Sequence, residues 1–135
     1  MFWGNEYMTV WLINHSWESF CRTHEYCGFM VESERDKIKV GEGVVYFGQG
    51  LVFGVFEASA FPNNEFKGWQ KIYPFQVKLK PIAITKMGLI AKPLQDKIRA
   101  QKTQGGSQNL VELTENEFNQ IKEAIEKGQK ELSFS

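Results

Sequence analysis

One stretch near the middle of the chain limits the possible folds more than any other: Gly43-Val44-Val45-Tyr46-Phe47-Gly48-Gln49-Gly50-Leu51-Val52-Phe53-Gly54-Val55-Phe56. Two runs of β-branched and aromatic residues flank Gly48-Gln49-Gly50, a hairpin turn in which glycine supplies positive φ at little cost. The runs are apolar at nearly every position and do not alternate with polar residues, so both faces of the ribbon must be covered. Such a hairpin belongs in the middle of a barrel or sandwich and not at an edge. Gly54 breaks the second run, as expected of a bulge or a close backbone approach.

The remaining elements have to close around this pair. Thr9-Val10-Trp11-Leu12-Ile13 reads as a buried strand, and Asn14-His15-Ser16 suits the cap of a following helix. That helix places Trp17, Phe20, Cys21 and His24 on one continuous face. Tyr26 to Val31 reads as a second strand or extended loop, Glu32 to Lys39 as charged surface, and Val40 to Gly43 as a turn. After the hairpin, Pro62-Asn63-Asn64 marks a loop over Ala58 to Lys67. Tyr73, Phe75, Val77 and Leu79 then alternate with Pro74, Gln76, Lys78 and Lys80, a half-buried strand with a basic outer face that Pro81 should end. Pro93 opens a helix reaching Lys102, closed by Gly105-Gly106. Thr114 and Glu117 form a capping box with Leu113 and Phe118 as its hydrophobic staple, and Phe118, Ile121 and Ile125 give the final helix its buried face up to Gly128. The expected architecture is α+β, with five or six strands around one small barrel-like core and two or three flanking helices.

A chain of 135 residues with 42% hydrophobic and 14% aromatic content makes one domain, here placed at residues 8–128. Residues 1–7 read as an N-terminal extension, with Met8 an equally good start, and 129–135 as a C-terminal tail. Formal net charge is zero, but the sign is unevenly spread. Between Lys67 and Lys102 nine Lys or Arg residues face a single acid, Asp96, which suggests a basic surface turned toward something anionic. Two cysteines imply no disulfide framework, and neither a membrane-length apolar stretch nor a signal-peptide layout is present. The expectation is a cytoplasmic protein without membrane contact.

Every Cys and His lies between His15 and Cys27, and Cys21, His24 and Cys27 have the Cys-x-x-His-x-x-Cys spacing of a zinc knuckle. Because Cys21 and His24 share the apolar stripe of Trp17 and Phe20, they are expected to face the core, and no metal or other cofactor is expected. Nothing activates a Cys–His or Ser–His nucleophile, and the glycine pairs are hairpin turns, not phosphate loops. No catalytic residue is assigned, and an enzyme is not expected. Of the four tryptophans, Trp17 has a core role by its period. Trp69 sits between Lys67 and Lys71, a setting equally suited to base stacking backed by phosphate contacts and to a lid over the barrel end.

The order of elements and several motifs resemble the EVE domain, a member of the PUA-like superfamily related to the YTH readers of methylated adenine. The resemblance runs from Met8 to about Lys127. It is carried by Val10-Trp11-Leu12-Ile13, by Lys39-Val40-Gly41-Glu42-Gly43-Val44-Val45-Tyr46-Phe47, by Val52-Phe53-Gly54-Val55-Phe56-Glu57-Ala58, and by Tyr73-Pro74-Phe75-Gln76-Val77-Lys78-Leu79-Lys80-Pro81-Ile82. Leu113-Thr114 with Phe118 and Ile121 adds the terminal helix. The resemblance implies a small β-barrel with a pocket for a flipped, often modified, base. Tyr26 falls where a cage tryptophan is common, with Phe29 the alternative one register away, and the smaller tyrosine ring narrows the stacking face. Trp69 falls near the second cage aromatic, Asn14 and Ser16 where polar groups read the base edge, and Cys27 in the pocket lining.

A flipped base costs a few kcal/mol of unstacking, least in single strands or at modified positions, and aromatic stacking returns about 1–3 kcal/mol per base. Lys67, Lys71, Lys86, Lys92, Lys97, Arg99 and Lys102 are the candidate phosphate contacts, which give affinity without sequence preference. The sequence reading is thus a nucleic-acid-binding module for RNA or DNA that recognises a modified base. Its alternatives are a general RNA-binding PUA-like domain in RNA modification or translation, and a protein or small-ligand interaction module.

Overall fold

The computed structural model describes residues 9–135. The sequence-assigned N-terminal extension and the start at Met8 lie outside the described residues. In chain order the elements are β1 (Val10–Asn14), α1 (Trp17–Arg22), β2 (Tyr26–Phe29), α2 (Glu32–Arg35), β3 (Gly43–Gly48), β4 (Leu51–Ala60), β5 (Phe75–Ile90), α3 (Lys92–Thr103), β6 (Leu110–Leu113) and α4 (Glu115–Glu126). The fold is mixed α+β: the six strands make one curled sheet, a half-barrel with order β2-β5-β4-β3-β1-β6, flanked by four helices among the described residues. No helix among the described residues is long and apolar enough to cross a membrane.

The central hairpin is β3–β4. All six residues of β3 are buried. Gln49 and Gly50 have φ of 54° and 84°, the left-handed pair that a two-residue turn between twisted strands requires. The covering of both faces explains the unbroken apolar runs. Val45, Phe47, Val52 and Val55 enter one core with Leu94, Ile98, Phe118 and Ile121 of α3 and α4. Val44, Tyr46, Phe53 and Phe56 enter a second core, inside the curl, with Phe20, Cys27, Phe29 and Val77. The pairing of β3 with β4 slips one residue between Tyr46 and Phe47, opposite Gly54. A side chain at Gly54 would crowd the Ala83 carbonyl oxygen and the Phe56 ring, each at 3.0 Å.

The caps behave as their residue types dictate. The Ser16 hydroxyl accepts from Ser19 N–H at the start of α1. At α4, Thr114 and Glu117 complete both halves of the capping box, and Leu113 and Phe118 meet in the first core. Gly105 and Gly128 take positive φ just beyond α3 and α4. Residues after Gly128 return to the sheet: Leu132 N–H donates to the Ile90 carbonyl, and the Leu132 side chain is buried in the first core.

Several expectations are corrected. Pro81 does not end its strand. It pairs opposite Phe56 inside β5, and the ladder shifts register beside it, so the missing N–H falls at an irregularity where it is tolerated. Helix α1 stops at Arg22, so His24 lies beyond it. Cys21 and His24 are exposed, and Phe20, not the whole Trp17–His24 stripe, supplies the buried face. Trp17 is likewise no core residue, being 45% exposed against Phe53 and Phe20. Within the charged stretch Glu32–Lys39, Arg35 and Ile38 are buried. The Ala58–Lys67 loop begins later than expected, because β4 continues to Ala60.

The end of β3 passes so close to the residues after β1 that His15 N–H donates to the Phe47 carbonyl at 2.7 Å. A side-chain carbon at Gly48 would overlap the His15 carbonyl oxygen, which is backbone and has little room to move. Gly48→Ala is therefore expected to cost about 3 kcal/mol or more, read as a lower urea midpoint. An unchanged midpoint would contradict this crossing.

Candidate functional site

Where β1, β2 and the β3–β4 turn end together, the sheet leaves a cleft of about 320 Å³. Its wall combines aromatic rings (His15, Phe29, Tyr73), polar side chains (Asn14, Ser16, Gln49, Asn109) and one cation, Lys71. Each polar group is placed by a backbone constraint. Asn14 closes β1, and its amide N–H donates to the Gln108 carbonyl at 3.0 Å. Gln49 occupies the hairpin turn and its side-chain oxygen accepts from Trp17 N–H at 3.1 Å, tying the turn to the start of α1.

The aromatic wall is held by the long loop between β4 and β5. Gln76 is fully buried and serves as the loop's clamp. Its oxygen accepts from Phe66 N–H at 2.9 Å, and its N–H groups donate to the Phe66 and Tyr73 carbonyls at 2.8 and 2.9 Å. One side chain thus fixes both ends of the segment bearing Trp69. Arg35, only 5% exposed, fastens the loop's beginning by donating to the carbonyls of Phe61, Pro62 and Gln76. The clamped loop lies over Gly28, where any side chain would overlap the Tyr73 Cβ and press on Trp69. Expected as an outward-facing position of β5, Gln76 is instead buried, because the loop folds over that face.

Within this frame Trp69 is a lid and not an open platform. It is buried, donates its indole N–H to the Ser19 carbonyl, and meets Tyr73 edge-on at 5.3 Å. His15 sits among Tyr46, Trp69 and Tyr73, with centroid distances of 5.6, 5.5 and 4.8 Å. It is 8% exposed, and burial lowers its pKa to about 4, so the imidazole is neutral near pH 7. Its Nδ1 accepts from Ser16 N–H at 3.2 Å, which puts the ring proton on Nε2. Neither that Nε2 nor the Tyr46 hydroxyl has a hydrogen-bond partner among the described residues. Burial also raises the pKa values of Tyr46 and Tyr73, so both remain phenols.

Of the base-pocket residues proposed from sequence, Asn14, Ser16 and Phe29 line the cleft, and Trp69 stands behind its wall. Tyr26 is elsewhere. Its ring stacks on Phe66 at 5.6 Å under Lys78, and its hydroxyl donates to Glu65, which with burial pushes its pKa up to about 12. Cys27 is fully buried in the second core, where desolvation raises its thiol pKa. Of the seven basic residues, Lys71 lines the cleft, with its ammonium 5.8 Å from the centre of the Tyr73 ring. Lys67, Lys86, Lys92, Lys97, Arg99 and Lys102 are not in its lining, and Lys97 is paired with Glu117 at 2.8 Å. Burial works against the Glu117 carboxylate, but the hydrogen bonds from Lys97 and Thr114 outweigh it and hold its pKa below the ordinary value. Among the described residues no three His, Cys, Asp or Glu side chains gather as a metal site needs.

Sequence reasoning missed His15, Gln49, Tyr73 and Asn109 as cleft residues. The only available signal was position: His15 and Gln49 sit at element ends that the hairpin reading already brought close.

Among solved structures of related fold is the crystal structure of protein Atu2648 from Agrobacterium tumefaciens. It has a TM-score of 0.53 and 14% sequence identity, with 93% of this chain and 99% of that chain covered. At that identity the likeness concerns the fold alone. No family model and no curated protein matches the chain.

Two outcomes test the site's construction. Gln76→Leu removes the partner of three part-buried backbone groups and is expected to cost about 1–3 kcal/mol, seen by denaturation together with a red-shifted tryptophan emission. His15, with its folded pKa depressed, contributes stability that is fully present above about pH 6.5 and is lost as pH falls toward about 4. The loss is up to about 3 kcal/mol. It is measured as the difference in pH dependence between the wild type and His15→Phe, and identical slopes would contradict it.

Proposed function

We propose that this chain is an EVE-type, PUA-like binding module that takes one nucleobase of an RNA or DNA strand into the cleft, modified bases included, without chemistry of its own. The observation that carries this reading is the composition of the cleft: aromatic rings, side-chain amides and a single lysine around about 320 Å³. That volume is at the small end of the range for ligand sites, about 300–1,000 Å³, and suits one flat heterocycle. Tyr73, half-buried in the wall, supplies apolar ring surface, with the buried Phe29 ring behind the cleft. The Asn14 carbonyl oxygen and the Gln49 amide N–H groups are left to meet a base edge, since their other polar atoms already bind backbone. Lys71 provides a phosphate contact at the wall. Lys67, Lys86, Lys92, Arg99 and Lys102 extend the positive potential along the chain's basic half, whereas Lys97 is engaged by Glu117.

One observation favours the second reading, a general RNA-binding domain: six of the seven candidate basic residues are outside the cleft lining. The two readings differ in base preference. Fluorescence anisotropy with short RNA and DNA oligomers, with and without methylated bases, is expected to show tighter binding to one base or modification. Tyr73→Ala should lose about tenfold or more in affinity and abolish the preference. Lys71→Ala should weaken all oligomers alike and reduce the salt slope by about one. Binding with no base preference would favour the general domain, and no binding at low salt would overturn both.

A further inference from the structure

We propose that His15 is the specificity-determining donor of the cleft, its Nε2–H pairing with the oxygen at position 4 of a bound pyrimidine or 6 of a bound purine, so that uracil, thymine and guanine, which carry a carbonyl there, are preferred over cytosine and adenine, which carry an amino group there. The inference rests on the reading of the cleft as a base site and adds the chemistry of the edge it reads.

Four observations converge on this atom. His15 lines the cleft although it is 92% buried, being 8% exposed. Its Nδ1 is occupied by Ser16 N–H, so the neutral ring can only donate from Nε2. That Nε2 is buried without a partner among the described residues, and so is the hydroxyl of Tyr46, the ring stacked on His15. The other neighbours of the imidazole are the rings of Trp69 and Tyr73, which offer no strong acceptor along their faces. A native fold seldom leaves buried donors unpaired unless a ligand or solvent completes them.

A carbonyl oxygen has two lone pairs and accepts from an N–H without moving a proton. An exocyclic amino group in the same place would set N–H against N–H and leave the donor unpaired. This is the kind of site that discriminates strongly, because the wrong partner strands a buried polar group. A low histidine pKa serves the same end, since a neutral ring keeps one fixed donor and does not attract anions indiscriminately. Nε2 is buried, and the nearest of the three rings around the imidazole is the half-buried, cleft-lining Tyr73 at 4.8 Å, so binding includes a shift of that side chain.

The test uses five-nucleotide RNAs with a single central uridine, guanosine, cytidine or adenosine, titrated against wild type and His15→Phe. The phenylalanine keeps a ring among Tyr46, Trp69 and Tyr73 and removes the donor. The expected result is about tenfold or greater preference for uridine or guanosine over cytidine and adenosine, lost in His15→Phe. In the wild type, the Nε2 resonance should move downfield when the preferred oligomer is added. The chain has only two histidines, so that signal is assignable even if the variant fails to fold. A preference that survives His15→Phe, or an Nε2 resonance unmoved at saturation, would overturn the inference while leaving the base-binding reading standing; equal binding of all four oligomers would overturn it and, if methylated oligomers bind no better, favour the general domain as well. Absence of binding by every oligomer would overturn both.

Discussion

Burial of β3 on both faces is the constraint on which the rest of the molecule depends. A strand with no polar side must be covered twice, and the two covers come from different parts of the chain. Helices α3 and α4 with Leu132 close one face, while α1, β2 and the curled continuation of the sheet close the other. Side chains alternate along the strand, so Val44 and Tyr46 serve one core and Val45 and Phe47 the other. Each fully buried residue of this size contributes roughly 1.5–3 kcal/mol of transfer free energy. A one-residue slip would exchange the two sets and spoil both cores at once.

The cleft occurs where this double covering ends. Gly48 is the last buried residue of β3, and the chain leaving β1 crosses it at backbone contact distance. That crossing sets His15 beside the end of the strand and among three aromatic rings. The site is therefore built from element ends (Asn14, Gln49, Phe29) held by strand pairing, together with a loop wall held by buried polar side chains. Aromatic surface and hydrogen-bonding capacity meet there because strand ends expose backbone polarity that the core cannot absorb.

Local patterns with a single physical meaning were legible in the sequence. The Gly48-Gln49-Gly50 turn, the Ser16 cap, the Thr114–Glu117 box and the stops at Gly105 and Gly128 depend on residues within one turn of each other, and all are present. Patterns that depend on distant partners were not. Pro81 reads as a strand end until its position opposite a register shift is known. Cys21 and His24 follow a helical period, but α1 ends at Arg22, before that period can place both against the core. Gln76 reads as outward-facing because nothing local announces that residues ten positions earlier will fold over it. Of the six residues that the family resemblance pointed to for a base pocket, Asn14, Ser16 and Phe29 border the cleft. Tyr26 and Cys27 do not line it: Gly28 and Phe29, on the same two faces at the far end of β2, border the cleft, and Tyr26 and Cys27 lie two residues further from it.

The clamp made by Gln76 has a consequence for how such a surface can diversify. Because one amide grips Phe66 and Tyr73 together, the residues between them form a closed ring on the surface, anchored at its neck. Substitutions among positions 67, 70, 71 and 72 leave that neck in place, whereas a side chain at Gly68 would press on the Phe66 ring, and lengthening a closed loop costs little additional entropy. The rim of the cleft can thus vary in charge and shape while its floor, fixed by β1 and the hairpin, stays constant. The rim's charge and shape rest on a few loop residues, and those residues can be rewritten without adjustment of the core.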